Sequence, residues 1–125
     1  MIQVVAAVIR HHGKILICQR PQGKNLAGCW EFPGGKVERG ESKPAALMRE
    51  CREELAVAVL VGAQTGSAVH DYGEYSVDIT FYECRLDGQM PVAVEHSAIA
   101  WVLPSELKNY NFCPADSQFI KALSQ

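Results

Sequence analysis

Three glutamates, Glu50, Glu53 and Glu54, cluster directly after Arg49. A helix advances about 100° per residue, so these carboxylates would fall on one helical face within an arc of roughly 100°. Like charges one turn apart repel each other, and a cation is needed to offset that repulsion. Clustered carboxylate oxygens are the ligands that Mg²⁺ or Mn²⁺ takes beside water and phosphate oxygens. The pattern therefore predicts a divalent-metal site for chemistry on phosphate esters.

A solvated charged face is the ordinary explanation of a helix rich in glutamate and arginine. The wider spacing favours the metal site, because Gly35 and Glu41 precede Arg49 in the order G-x5-E-x7-R-E-C-x-E-E. At average residue frequencies, six such identities coincide by chance at about one start position in ten million. The segment resembles the signature of the Nudix hydrolases, and the resemblance extends from Val4 to Asp116. It is most similar to the MutT-like branch, which includes bacterial CTP pyrophosphohydrolases and 8-oxo-dGTP diphosphatases.

The resemblance implies one Nudix domain over residues 1–125 with an α/β (α+β) fold. The expected architecture is an α/β/α sandwich with a central mixed sheet, a Nudix loop-helix and a C-terminal helix. The implied activity is Mg²⁺- or Mn²⁺-dependent hydrolysis of a nucleoside triphosphate to its monophosphate and pyrophosphate. The expected substrates are CTP, dCTP or a modified or oxidised nucleotide such as 8-oxo-dGTP. We expect a monomer or a homodimer.

The resemblance also implies roles for residues of the motif. Glu50, Glu53 and Glu54 are expected to be metal ligands, together with the carbonyl oxygen of Gly34. Arg49 is expected to orient a neighbouring carboxylate through charge-assisted hydrogen bonds, and a weak surface ion pair is the alternative. These five residues form the core of the predicted site.

A further carboxylate is expected six residues before a tryptophan on a late strand, and Glu95 stands six residues before Trp101. The resemblance makes Glu95 a metal ligand or the acceptor of the proton from the attacking water; an exposed loop acid is the alternative. Glu50 is the other candidate for proton acceptor. Glu41 is expected to be structural, because an acid suits the positive end of a helix dipole.

Substrate contacts are expected from residues that precede the helix. Arg20 ends a predicted strand, and its guanidinium would bind phosphate oxygens in a bidentate way. Lys36 would add a point charge. Phe32 and Trp30 are candidates for lining a base pocket, with core packing as the alternative for an aromatic in a strand. Glu31 lies in the same segment and is counted among the substrate-binding residues.

Asp116 is the candidate for base selection. An ionised carboxylate only accepts hydrogen bonds, so it would prefer the N4 amino group of cytosine or the N1–H and N2 edge of guanine. The alternative is that Asp116 caps the last helix. One departure from the family pattern concerns Ala56, where the family has glycine; the departure puts in doubt the geometry of the helix end, while no metal ligand is lost.

Hydrophobic periodicity and turn residues predict the elements that position these groups. Residues 4–9 and 15–18 are predicted to form a hairpin, and residues 45–55 a helix whose apolar side includes Met48 and Leu55. Further strands are predicted over residues 57–61, 66–70, 75–85 and 98–103. A closing amphipathic helix is predicted over residues 114–123, with Phe119, Ile120 and Leu123 on its apolar side.

Composition limits the other function classes. The chain has 125 residues, of which 48% are hydrophobic, and a net charge of −2, so it offers no cationic surplus for binding a nucleic-acid polymer. Five cysteines without a CxxC pair favour reduced thiols and a cytoplasmic location. No apolar run is long enough to span a membrane. The four histidines are scattered and are interpreted as turn or surface residues.

Two other functions remain as alternatives. A nucleotide-sensing module would keep the fold without catalysis, but the presence of all three motif glutamates argues against it. Tyr75 stands near the spacing seen in dinucleoside polyphosphate hydrolases, although a strand tyrosine is usually a packing residue. Hydrolases of ADP-ribose or NADH are disfavoured, because residues 58–90 contain no proline.

Overall fold

The computed structural model describes residues 1–123, with side chains through residue 121. This part of the chain forms seven strands, two α-helices and one 3-10 helix. Their bounds are β1 Ile2–His11, β2 Lys14–Gln19, β3 Trp30–Glu31, β4 Gly34–Lys36, α1 Lys43–Leu55, β5 Val59–Asp71, β6 Ser76–Leu86, β7 Ala98–Val102, the 3-10 helix Pro104–Asn109 and α2 Pro114–Leu123. Residues 124 and 125 of the expected domain lie outside this range.

The sheet is mixed and is organised around β1. β1 runs parallel to β6, and β6 is antiparallel to β5. The other edge of β1 pairs first with β4 and then, at the hairpin, with β2. β2 extends the sheet to β3 and β7. This arrangement places the two glycines that open β4 beside the middle of the molecule.

Two hydrophobic clusters cover the two faces of the sheet, because alternate residues of β1 point to opposite sides. Ala7 packs with the buried face of α1, whereas Val8 belongs to the cluster that also contains residues of α2. In this second cluster the rings of Phe81 and Phe119 stack at 4.0 Å. The sheet therefore lies between helices, and the predicted α/β/α fold class is confirmed.

Both ends of α1 have defined caps. The hydroxyl of Ser42 accepts a hydrogen bond from the backbone N–H of Ala45 at 3.2 Å, as an N-cap does. At the other end Ala56 adopts the left-handed conformation, with φ 52° and ψ 40°, and its N–H donates to the carbonyl oxygen of Arg52. The position that is glycine in the family pattern has a left-handed backbone conformation in this structure, and Ala56 adopts that conformation here.

The prediction for the apolar side of α1 is wrong at Met48, which is 44% exposed. The buried row is Leu47, Cys51 and Leu55, which recur every four residues. Met48 lies about 100° around the helix from Leu47 and therefore faces solvent.

Two other differences concern strands and a side chain. The strands predicted over residues 57–61 and 66–70 are parts of one long strand, β5, whose pairing with β6 shifts register between Val61 and Gly66. The expected position of Leu123 concerns a side chain outside the described residues. No helix within residues 1–123 is long and apolar enough to cross a membrane.

Candidate active site

The face of α1 that lies away from its buried row carries three glutamates toward a cavity of about 240 Å³, here named the carboxylate cavity. Glu50, Glu53 and Glu54 line it, and Glu95 reaches it from the loop before β7. The side chain of Glu50 is 16% exposed and that of Glu53 is 54% exposed. The structure therefore brings together the four carboxylates that the motif and the tryptophan spacing selected as metal ligands.

Arg49 organises these carboxylates through hydrogen bonds. Its Nε and Nη2 donate to the two carboxylate oxygens of Glu41 at 2.7 and 3.0 Å, and Nη2 also donates to the carbonyl oxygen of Lys36 at 3.0 Å. Its Nη1 donates to Glu50 Oε1 at 2.8 Å. The bond to Glu41 is the main cause that raises the pKa of Arg49 and lowers that of Glu41. Glu41 thus holds Arg49, and Arg49 orients Glu50.

The two glycines that open β4 allow the backbone to approach the helix closely. The N–H of Gly34 donates to Glu54 Oε1 at 3.1 Å. A Cβ atom at Gly35 would overlap the carboxylate of Glu50, and one at Gly34 would overlap the backbone of Val5. Only glycine fits at either position without a shift of its neighbours. The structure therefore places Gly34, the predicted backbone ligand, next to the carboxylates.

Burial and crowding perturb the acids of this cavity. Burial, reinforced by the charges of Glu31 and Glu50, raises the pKa of Glu54 to about 8. Burial also raises the pKa of Glu50, although the hydrogen bond from Arg49 opposes the shift. Without a cation, the protein therefore favours a proton on Glu54 at neutral pH.

This donor set fits a hard divalent cation. The ligand atoms are carboxylate oxygens with one backbone segment beside them, which suits Mg²⁺ or Mn²⁺ better than a metal that prefers sulfur. Burial and the neighbouring carboxylates raise the pKa values of Glu54 and Glu50, so a positive charge close to them would stabilise their ionised forms. A divalent ion would supply that charge and displace the proton.

A second cavity, the central cavity of about 420 Å³, adjoins the carboxylate cavity. The two cavities share four side chains: Arg20, Glu31, Glu50 and Glu54. All five residues expected to bind substrate line the central cavity: Arg20, Glu31, Phe32, Lys36 and Asp116. The structure therefore places the predicted substrate residues next to the predicted metal ligands.

Arg20 and Glu31 form an ion pair, with Arg20 Nη1 3.2 Å from Glu31 Oε1. Arg20 Nε also donates to the carbonyl oxygen of Asn25 at 2.7 Å. The other oxygen of Glu31 lies 2.9 Å from Nε2 of His96, whose side chain is 3% exposed. His96 lies in a bend before β7, but the expectation of a surface position is wrong, because its ring is buried against Glu31. Its position next to Glu95 in the sequence was the available signal.

The two aromatic candidates differ in position. Phe32 lines the central cavity, but it is also a core residue whose ring meets Phe81 and Phe119 edge-on at 5.9 and 5.8 Å. Trp30 packs edge-on against Tyr110 at 5.2 Å, on the hydrophobic cluster next to α2. Trp30 is therefore a packing residue, as the alternative interpretation expected. Phe32 packs in the core and also lines the central cavity.

Asp116 lies in the first turn of α2 and is 5% exposed. α2 begins at Pro114, so Asp116 stands inside the helix rather than at its N-cap. Its carboxyl group accepts a hydrogen bond from the backbone of Phe32, while burial and the charge of Glu31 raise its pKa well above the usual range. These surroundings act against the ionised form that the sequence analysis assumed for Asp116.

A third cavity of about 140 Å³, the outer cavity, continues past Asp116 to the surface. The rings of Tyr72 and Tyr75 stack at 5.3 Å in its wall, and Asn25 Nδ2 donates to the hydroxyl of Tyr75 at 3.4 Å. Tyr75 lies in the turn before β6, so the interpretation as a strand packing residue is wrong. Sequence reasoning did not single out Tyr72 or Asn25, since a turn tyrosine and a loop asparagine carry no motif.

Comparison with known proteins is consistent with this geometry. A family model described as NUDIX domain matches residues 4–122. The CTP pyrophosphohydrolase of Escherichia coli K12 is 40% identical over 98% of this chain and 90% of its own. A putative 8-oxo-dGTP diphosphatase 2 of Mycobacterium tuberculosis is 38% identical over 98% of this chain and 87% of its own.

Solved structures agree. The solution structure of the E. coli ORF135 protein matches with a TM-score of 0.85 at 39% identity, covering 98% of this chain and 87% of that chain. The MutT protein from Methanosarcina mazei Go1 matches with a TM-score of 0.87 at 25% identity, covering 98% and 91%. The fold, the motif and the relatives point to the same family. The chain is a hydrolase of the Nudix family and belongs to its MutT-like branch.

Proposed function

We propose that this Nudix hydrolase cleaves cytidine triphosphates, CTP or dCTP, to the monophosphate and pyrophosphate with Mg²⁺ or Mn²⁺. The observation that carries the proposal is the continuity of the three cavities. Arg20 and Glu31 line all three, from the carboxylate cavity to the outer cavity. A nucleotide whose base contacts Asp116 would therefore extend its phosphates toward Glu50 and Glu54.

The carboxylates divide the chemistry between them. Glu50, Glu53, Glu54 and Glu95 would hold the ion, which when bound polarises a phosphoryl oxygen and lowers the pKa of water. Glu50 and Glu95 both line the cavity in which that water would lie, so either is placed to accept its proton. Arg49 keeps Glu50 in position through the 2.8 Å hydrogen bond. Arg20 and Lys36 offer positive charge to the phosphates.

Base choice is inferred from the place of Asp116 in the wall of the central cavity. Its carboxyl oxygens can accept a hydrogen bond from the N4 amino group of cytosine, whereas uracil and thymine present a carbonyl oxygen at that position. The 40% identical relative named CTP pyrophosphohydrolase supports the same choice.

Two other substrate classes are tested beside it. 8-oxo-dGTP is supported by the relatives named 8-oxo-dGTP diphosphatase, at 33–38% identity over 98% of this chain. Dinucleoside polyphosphates are supported by the stacked pair Tyr72 and Tyr75, which offers a ring surface at the cavity mouth for a second base.

The test is a pyrophosphate-release assay on the full chain with CTP, dCTP, UTP, dTTP, dGTP and 8-oxo-dGTP, each with Mg²⁺ and with Mn²⁺. Hydrolysis of a diadenosine polyphosphate, which yields two nucleotides and no pyrophosphate, is measured beside it by chromatography of the nucleotide products. We expect the largest kcat/KM for a cytidine triphosphate. A larger kcat/KM for 8-oxo-dGTP or for the dinucleotide would replace the proposed substrate by that one.

Glu53→Gln tests the metal ligands in the same assay. It should lower kcat by orders of magnitude while circular dichroism stays unchanged, because an amide is a poorer ligand than a carboxylate. Asp87→Asn removes an exposed carboxylate from the turn after β6 and is the matched control with unchanged turnover. Undiminished turnover of Glu53→Gln would contradict the metal assignment.

A further inference from the structure

A group of sulfur and oxygen donors in the wall of the outer cavity includes a thiol that the proposed hydrolysis does not use. Glu31, Cys113 and Asp116 each contribute one ligand atom, and these three atoms lie within 4.8 Å of one another. Cys113 is 3% exposed and Asp116 is 5% exposed. The hydrolytic chemistry uses oxygen ligands on α1, so the thiol of Cys113 is left unexplained.

A second thiol belongs to the same place. Cys29 is hydrogen-bonded to the thiol of Cys113, and both cysteines are free. The sulfur of Cys29 also lies 3.0 Å from the carbonyl oxygen of Leu26. The group of three ligand atoms thus has a second thiol hydrogen-bonded to its own thiol, which goes beyond a cluster of acids or a single cysteine.

The backbone holds these donors in a fixed arrangement. The N–H of Trp30 donates to the carbonyl oxygen of Asn111 at 2.9 Å, and the N–H of Cys113 donates to the carbonyl oxygen of Trp30 at 2.9 Å. Cys29 and Glu31 flank Trp30 in the sequence. The N–H of Asp116 donates to the carbonyl oxygen of Cys113 at 3.0 Å. The donors are thus fixed by main-chain hydrogen bonds before any ion binds.

The contacts of Glu31 leave room for a ligand bond. Its two oxygens face Arg20 and His96, yet a carboxylate has about four lone-pair directions and can serve an ion as well. Such contacts from a cation and an imidazole are the kind that orient metal-binding carboxylates. Arg20 and His96 therefore fix the orientation of Glu31 without using all of its acceptor capacity.

The mixture of donors selects the class of ion. Thiolates bind Zn²⁺, Cd²⁺ and Co²⁺ well and bind Mg²⁺ poorly, and two sulfurs with two oxygens suit a tetrahedral ion. The carboxylate cavity is lined by five glutamates and by no cysteine, and it suits Mg²⁺ or Mn²⁺. Ions that prefer sulfur, such as Zn²⁺, would therefore bind at the outer cavity, and Mg²⁺ or Mn²⁺ would bind at the carboxylate cavity.

We propose that Cys113, Glu31 and Asp116, with Cys29 as a fourth donor, form a site for Zn²⁺ or a similar thiophilic ion. Because this site lies in the wall of the outer cavity, the ion and the nucleobase exclude each other, and Zn²⁺ inhibits the enzyme by competing with the nucleotide. The exclusion rests on the proposed function, whereas the binding of the ion alone does not.

The first test uses Co²⁺ alone with the reduced, metal-free full chain. We expect one equivalent to produce the near-ultraviolet charge-transfer absorption of a thiolate bound to cobalt. Cys113→Ser should weaken this band, and the double variant Cys29→Ser/Cys113→Ser should abolish it, while circular dichroism stays unchanged in both. Cys84→Ser, which changes another buried cysteine outside the cluster, should keep it. Absence of the band in the parent protein, or an undiminished band in Cys113→Ser, would overturn the site.

The second test adds CTP without Mg²⁺ to the cobalt-loaded protein and, separately, measures Zn²⁺ inhibition of hydrolysis at saturating Mg²⁺. We expect the nucleotide to diminish the band, and Zn²⁺ to raise KM at least several-fold more than it lowers kcat. For each protein, the Zn²⁺ concentration that halves its own uninhibited rate is measured. This concentration should be about tenfold or more higher for Cys113→Ser than for the parent protein. If the nucleotide leaves the band unchanged, the mutual exclusion of ion and nucleobase is refuted while the metal site stands. If the protein shows the band but hydrolyses no nucleotide, the proposed function is refuted while the metal site stands.

Discussion

At the scale of single residues, Glu31 connects the parts of the site. It pairs with Arg20, contacts the buried ring of His96, and raises the pKa of both Glu54 and Asp116. Its charge thus acts on the carboxylate cavity and on the base-binding wall together. Residues that fix the position of Glu31 should therefore influence both substrate affinity and metal affinity.

His96 is the residue that tests this influence. His96→Leu removes the contact at 2.9 Å, so Glu31 loses an orienting partner, and we expect KM for CTP to rise several-fold more than kcat falls. His96→Gln, whose amide can donate, should restore part of the affinity. His12→Asn, an exposed histidine in a left-handed turn position that asparagine tolerates, should behave as the parent. Equal KM values for His96→Leu and the parent would contradict a positioning role.

Asp116 carries the prediction on base choice. A protonated carboxyl group and an amide both offer one donor and one acceptor. If Asp116 binds the base in its protonated form, Asp116→Asn should therefore keep kcat/KM for CTP within about threefold at pH 7. Asp116→Leu removes both groups and should lower it by roughly 10- to 100-fold, the effect of one bidentate base contact. A loss in Asp116→Asn as large as that in Asp116→Leu would show that the ionised form binds the base.

The sequence predicts the acids of the site better than their partners. Glu50, Glu53 and Glu54 follow from helical spacing, since one face of a helix is determined by residue intervals. The place of His96 depends instead on how β7 pairs with β2 and brings the preceding loop back to Glu31. Tyr72 depends in the same way on the pairing of β5 with β6. Local spacing carries no information on such contacts.

At the scale of elements, the end of α1 is the clearest departure from a low-energy conformation. Ala56 has φ 52°, which costs a residue with a Cβ atom about 1–2 kcal/mol. Ala56→Gly should therefore raise the free energy of unfolding by about 0.5–1 kcal/mol after the entropy of glycine in the unfolded chain is counted. The melting temperature should rise by about 2–4 °C.

Calorimetry on two matched variants measures this effect. Ala45→Gly changes an exposed alanine of the same helix that has a right-handed backbone, and it should lower the free energy of unfolding by up to about 1 kcal/mol. Equal destabilisation by Ala45→Gly and Ala56→Gly would mean that the left-handed end of α1 carries no strain.

The strands show where sequence patterns fail at this scale. The hairpin of β1 and β2 is predicted because two short β-branched runs flank a glycine turn. The sequence predicts two strands, over residues 57–61 and 66–70, where the structure has the single strand β5. The register shift with β6 lets one strand continue through residues 62–65. A bulge of this kind is determined by the partner strand and leaves no local signal.

At the scale of the whole molecule, the crowded carboxylates link stability to pH. Glu54 has a pKa of about 8 in the folded protein against 4.5 for an ordinary glutamate. The folded state therefore binds a proton that the unfolded chain has released, and stability falls as pH rises from about 4.5 to 8. We expect the metal-free protein to lose up to a few kcal/mol over this window.

Denaturant melts at several pH values, with chelator or with Mg²⁺, measure this dependence. Glu54→Gln should be less sensitive to pH than the parent between pH 5 and 8, since the amide does not titrate. Added Mg²⁺ should restore stability mainly at the alkaline end, where the carboxylates are ionised and able to bind it. A stability that rises across this window, or parallel curves for parent and variant, would contradict the shift at Glu54.

The three joined cavities limit how the enzyme can acquire a new preference. Arg20 and Glu31 line every one of them. A substitution of Arg20 or Glu31 that is chosen to admit a different base would therefore also change the binding of the ion and of the phosphates. Asn25 and Tyr72 line the outer cavity alone among these three. Libraries for directed evolution should therefore diversify Asn25 and Tyr72 first, where selectivity can drift while turnover is conserved.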